Sequence, residues 1–128
     1  MDIARTGVII NTENYEACVE FYKKLFNLSE LYHEEDGDFR LTCLEFGSSY
    51  LLIETGGVAN GPAKSFAQSS TKLRFNVADI DAALKRVRQF GIQADIRKAS
   101  WGSTINIHDP DGNRVGIRDE KTYLEQLT

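Results

Sequence analysis

The chain repeats itself. Gly7 to Glu54 aligns with Lys72 to Asp119 at an offset of 65 residues, and self-similarity at such a period constrains a fold more than any short motif. Asn11 falls on Asn76, Asn14 on Asp79, Ala17 on Ala82 and Gly47 on Gly112. Apolar Val8, Ile10 and Leu52 fall on Leu73, Phe75 and Ile117. The register slips by one residue after the first helical stretch, where Asn27 matches Gly91.

Each copy reads as one supersecondary unit. Gly7–Asn11 and Lys72–Val77 are short apolar or alternating runs, the pattern of strands. Tyr15, Cys18, Val19, Tyr22, Leu25 and Phe26 then recur at helical spacing, as do Ile80, Ala83, Leu84, Val87 and Phe90. Each set makes one apolar stripe facing a core. Asn14 and Asp79 stand where an N-cap accepts free backbone N–H groups, and Asn27 and Gly91 where a left-handed residue ends a helix. Three strands follow in each copy: Leu31–Glu34, Phe39–Phe46 and Tyr50–Glu54, then Ala94–Lys98, Ser103–His108 and Arg114–Asp119. The unit is βαβββ, twice, over residues 5–55 and 71–120, joined by a Gly- and Ser-rich connection at 55–71. A lone unit covers one sheet face with its helix and leaves the other bare. Two units predict an α+β domain over 1–128 whose mixed sheet curves into a cup.

With 128 residues, 41% hydrophobic and 27% charged, the chain can bury a real core. A net charge of −4 argues against nucleic acid as the main partner, because phosphate binding wants a basic face. No apolar run approaches the length of a membrane span, and the first residues lack a secretory leader. Two cysteines, Cys18 and Cys43, make neither a disulfide scaffold nor a metal motif. The expectation is a cytoplasmic protein with no membrane partner.

The whole arrangement resembles the vicinal oxygen chelate superfamily of glyoxalase I, extradiol dioxygenases, and fosfomycin- and bleomycin-resistance proteins. The matching residues are Asn14-Tyr15-Glu16-Ala17 with Phe21-Tyr22, the second helix entry Asp79-Ile80-Asp81-Ala82-Ala83, and the turn Asp109-Pro110-Asp111-Gly112-Asn113. The resemblance covers about residues 5–120 and implies a homodimer, with units paired within a chain or across subunits. It also implies four metal-ligand positions, which fall here on Gly7, Leu51, Lys72 and Gly116. Glycine and leucine carry no donor atom, and a protonated lysine repels a divalent ion. No metal and no other cofactor is therefore expected. Of the two histidines, His33 adjoins the acidic end of a hairpin. His108 adjoins the Asp109–Asn113 turn and reads as a strand-end residue or a rim base.

Strand alternation assigns the faces. Val8, Ile10, Leu52, Leu73, Phe75, Val77, Val115 and Ile117 should meet the helices. Gly7, Ile9, Asn11, Leu51 and Ile53 would line one wall of the cup. Lys72, Arg74, Asn76, Arg114, Gly116 and Arg118 would line the other, with Trp101 and His108 near its mouth. One wall is apolar and the other cationic. Like charges about 5 Å apart repel by roughly 3 kcal/mol per pair at an effective dielectric near 20, so this wall needs either carboxylates, such as Glu45 or Glu54, or a bound anion. The expected function is metal-free capture of a small anionic or amphipathic molecule, similar to the drug-sequestering resistance proteins, with no catalytic residue assigned. The alternatives are a divalent-metal lyase or dioxygenase, and a metal-free enzyme using His108 or Glu45 as base.

Overall fold

The computed structural model describes residues 1–128. The first half runs β1 (Gly7–Thr12), α1 (Tyr15–Glu20) with a π-helical continuation at Phe21–Leu25, β2 (Glu30–Asp36), β3 (Phe39–Phe46) and β4 (Ser49–Thr55). The second runs β5 (Leu73–Val77), α2 (Ile80–Gln89), β6 (Ile96–Ala99), β7 (Gly102–His108) and β8 (Arg114–Asp119). A further helix, α3 (Glu120–Gln126), follows and was not anticipated from sequence. The strands form two four-stranded mixed sheets, β1-β4-β3-β2 and β5-β8-β7-β6. In each, the first strand lies parallel to the last, and the remaining pairs are antiparallel. This is the expected tandem βαβββ, built as two sheets rather than a closed barrel. No helix is long and apolar enough to cross a membrane.

The π-helical turn explains the slip in the repeat. Asn27 (φ 53°) and Gly91 (φ 94°) both take the left-handed conformation that ends their helices. From Asn14 to Asn27 the first half has one residue more than Asp79 to Gly91. A one-residue insertion in a helix is commonly absorbed as a π-bulge, and Phe21–Leu25 is where it is absorbed. Phe21, Tyr22 and Leu25 all remain buried there.

The halves share one core. Fourteen buried residues, from Tyr15, Phe21 and Leu51 to Leu73, Val87, Ile105 and Ile117, form a single cluster. Phe26 stacks on Phe75 with ring centroids 3.8 Å apart, joining the end of the first helix to β5.

A pair of buried carboxylates locks the halves together. Asp111, fully buried in the β7–β8 turn, accepts the backbone N–H groups of Glu13 (2.7 Å) and Asn14 (2.9 Å). It also accepts the Asn14 side-chain amide. The expected Asn14 cap is thus corrected. Asn14 makes no side-chain cap of its own, and an aspartate from the other half supplies an acceptor at the entry to α1. Asp79 does cap α2, accepting from the Ala82 N–H at 3.0 Å. Asp109 accepts the Tyr22 hydroxyl at 2.7 Å, the Asn113 side-chain amide, and the N–H groups of Asp111 and Asn113. Burial, then the Asp109 charge, pushes the Tyr22 phenol well above its usual range.

Removing Asp111 would orphan these donors. Asp111→Ala should cost about 3 kcal/mol of unfolding free energy, and Tyr22→Phe about 1–2 kcal/mol. Urea unfolding of the three proteins measures both, with Asp111→Ala expected to be the more severe.

Candidate functional site

The faces opposite the helices are largely open to solvent. On the first sheet, Gly7, Ile9 and Asn11 stand beside Tyr50, Leu52 and Glu54. The sequence-based assignment of β4 is therefore corrected. Leu51 and Ile53 are completely buried in the shared core, and Tyr50 and Leu52 take their place on the open face. The cause is register: Val8 and Ile10, which face the core, pair with Leu51 and Ile53, and side-by-side residues in a ladder share a face. An open groove of about 680 Å³ lies along this sheet, walled by Ile9, Leu31, Tyr32, Cys43, Tyr50 and Leu52. Arg5 and Glu45 also border it. It is lined by first-half residues alone.

The second sheet follows its predicted alternation. Leu73, Phe75, Val77, Val115 and Ile117 face the core, while Arg74 lies beside Gly116 and Asn76 beside Arg118. Across β8, Asn106 pairs with Gly116 and His108 with Arg114. Lys72, just before β5, crosses over Gly116. Its Cε is 3.0 Å from where a β-carbon would sit on that glycine, and Arg74 Nε is 3.6 Å from the same point. Lys72 Nζ donates to Asn106 Oδ1 at 2.7 Å. Dehydration, then the charges of Arg74 and Arg114, holds the Lys72 ammonium below its ordinary pKa. Three of the four cations expected to cluster, Lys72, Arg74 and Arg114, are thus close enough to act on one another.

Arg118 is 4% exposed. It stacks on the Trp101 ring at 4.8 Å and on Tyr123 at 5.3 Å. One terminal nitrogen donates to the Trp101 carbonyl (2.9 Å) and to Gln126 Oε1 (2.7 Å), while Nε has no partner. Arg74 lies 5.6 Å from the Trp101 ring. Arg114 rests on Phe66 and donates to the Ser70 carbonyl. Asn76 donates to Glu120 Oε1 at 3.0 Å. Helix α3 thus covers part of this face with Glu120, Tyr123 and Gln126, residues the sequence reading passed over. The available signal was Asp119 followed by Glu120 and Thr122, an N-cap pattern. Asp119 caps α3 through the Thr122 N–H (2.9 Å) and also accepts the Ser103 N–H (2.8 Å). These bonds hold its carboxyl down at about 2.

The sequence profile of the Glyoxalase/Bleomycin resistance protein/Dioxygenase superfamily matches residues 3–117, and the chain belongs to that superfamily. Trypanothione-dependent glyoxalase I of Leishmania major superposes with a TM-score of 0.78 at 17% identity, over 98% of this chain and 93% of that one. The fosfomycin resistance protein FosX of Listeria monocytogenes, in its complex with Mn(II) and sulfate, gives 0.76 at 15% identity over the whole of both chains. FosX of Mesorhizobium loti gives 0.72 at 20% identity, over 99% of this chain and 98% of that one. No curated protein matches. At these identities the likeness is one of fold.

The residues at the superfamily's ligand corners do not suit a divalent ion. Gly7 has no donor, and the Tyr50 ring stands where its side chain would grow. The β4 corner offers Tyr50 or Leu52 to the open face, since Leu51 is turned inward. The remaining corners hold an ammonium group and a glycine beneath it. Nowhere do three or more His, Cys, Asp or Glu side chains converge as a metal site. His33 is engaged with Glu30 at 2.8 Å, on the side of β2 opposite Tyr32 and the groove.

The Asp119 cap has a pH signature. Its carboxyl is depressed from 3.8 to about 2, so its hold on α3 is complete above the unfolded value and is lost as pH falls through the folded one. Amide exchange of residues 120–126 should accelerate between these limits in the wild-type protein. In Asp119→Asn the acid-dependent step should vanish.

Proposed function

We propose that the protein captures a small anionic or amphipathic organic molecule on the cationic face of its second sheet, without a metal ion. One observation carries this reading. Lys72, Arg74, Arg114 and Arg118 take part in none of the molecule's six ion pairs. Glu45 borders the groove of the other sheet, and Glu54 accepts from Asn11. A dehydrated guanidinium with only neutral oxygens as acceptors is costly, because a buried charge is normally paired. A ligand carboxylate or phosphate supplies the missing charge, and arginine's planar fork suits such groups. Trp101 adds an aromatic surface beside Arg74 and Arg118.

The apolar groove on the first sheet suits the remainder of an amphipathic ligand if a second copy brings the two kinds of face together. The exposed surface favours such a homodimer. It measures 8201 Å², against about 6,800 Å² for a monomer of this mass. The difference, about 1,400 Å² per chain or about 2,800 Å² for two, falls in the range that obligate homodimers bury. Buried free thiols at Cys18 and Cys43 fit a reducing cytoplasm. A metal-dependent lyase or dioxygenase is the less favoured reading, because its donor set is missing. His108 is exposed, and the carboxylate next to it in sequence, Asp109, is buried and engaged by Tyr22 and the turn N–H groups, so nothing supports a general-base role.

Thermal melting with a panel of carboxylates and phosphates tests the capture. At least one anion should raise the melting temperature, and Arg74→Ala should weaken its binding by about tenfold or more, the worth of a charge-assisted hydrogen bond. Binding should also weaken as pH rises through the lowered pKa of Lys72, since an anion favours the charged amine. No shift with any anion, together with no effect of Arg74→Ala, would end this reading. Light scattering should report a dimer.

A further inference from the structure

Lys72 differs from an ordinary surface lysine in its neighbours. Its amine donates to Asn106 from β7, lies over Gly116 of β8 and feels the charges of Arg74 and Arg114, with no carboxylate acting on it. The absence of a side chain at Gly116 lets the lysine lie flat across β8. Asn106 then fixes Nζ through a neutral acceptor that remains compatible with an uncharged amine. An amine acted on by two nearby guanidinium charges and partly removed from water is disposed to lose its proton. Each unit of depression raises the neutral, nucleophilic fraction at neutral pH about tenfold. The same arginines can hold a carboxylate next to it.

We propose that Lys72 is a covalent capture residue that forms an imine with small 2-oxo acids, the carboxylate being gripped by Arg74 and Arg114. The proposal rests on the anion-binding reading and names the ligand class for that site. The amine lone pair attacks the ketone or aldehyde carbon to give a carbinolamine. The C=N bond then forms as the C–O bond breaks, and the oxygen leaves as water carrying both amine hydrogens. No oxidant, reductant or metal is required. Simple monocarboxylates lacking the carbonyl would occupy the arginines without forming the bond.

Borohydride trapping tests this. The intact protein is incubated with glyoxylate or pyruvate, reduced with sodium borohydride, and analysed by intact mass and peptide mapping. Lactate serves as the carbonyl-free counterpart and is followed by thermal melting. One reduced adduct per chain is expected, mapped to Lys72 in excess over Lys64 and Lys98. Lys72→Arg should lose it while keeping the wild-type circular dichroism spectrum. Gly116→Leu, which fills the space under the lysine, should reduce it. Adducts spread evenly over surface lysines would overturn the proposal. So would no adduct in a protein that lactate still stabilises, and that result leaves the anion-binding reading standing. If neither lactate nor any other anion shifts the melting temperature, both fall together.

Discussion

The structure depends on two buried carboxylates that belong to one half of the chain and serve the other. Asp111 satisfies N–H groups at the entry to α1, and Asp109 anchors the Tyr22 hydroxyl projecting from the same helical segment. Each is a charge taken out of water, tolerable because several donors converge on it. Those donors come from both halves, so the acceptors are satisfied only when the halves are docked in one orientation. The helix-facing sides of the two sheets then merge into a common core, and the remaining faces are left outward.

The proposed anion capture rests on that outward placement. One sheet presents tyrosines, leucines and isoleucine; the other presents ammonium and guanidinium groups that form no direct ion pair. Charge of one sign on a sheet face is usually dispersed or neutralised by carboxylates on adjacent strands. Here the alternate positions of β7 carry Thr104, Asn106 and His108, and the acceptors supplied by α3 to Arg118 are neutral. In the proposed reading, a bound anion would relieve the repulsion among these groups.

How much of this was legible depends on local pattern. In Leu73-Arg74-Phe75-Asn76-Val77 apolar and polar residues alternate, so the faces of β5 could be read directly. The run Tyr50-Leu51-Leu52-Ile53 is apolar throughout and carries no alternation. Its faces are decided by pairing with β1, a long-range contact that no window of sequence contains. The Asn14 cap was misread for a related reason: the acceptor that serves this site is nearly a hundred residues away. Helix α3 was missed because Asp119 completes the repeat as a strand end while also opening a helix. The unpaired state of the four cations likewise could not be read from composition, since Glu45 and Glu54 were available in sequence and absent in space.

The extra residue taken up at Phe21–Leu25 makes the two copies unequal in a way their common pattern conceals. Only the first has the lengthened helix that carries a phenol to Asp109, and only the second has the acidic turn that receives it. A chimaera made by duplicating either copy would therefore possess two plugs or two sockets. The two copies, alike in pattern, are complementary in contact and not interchangeable.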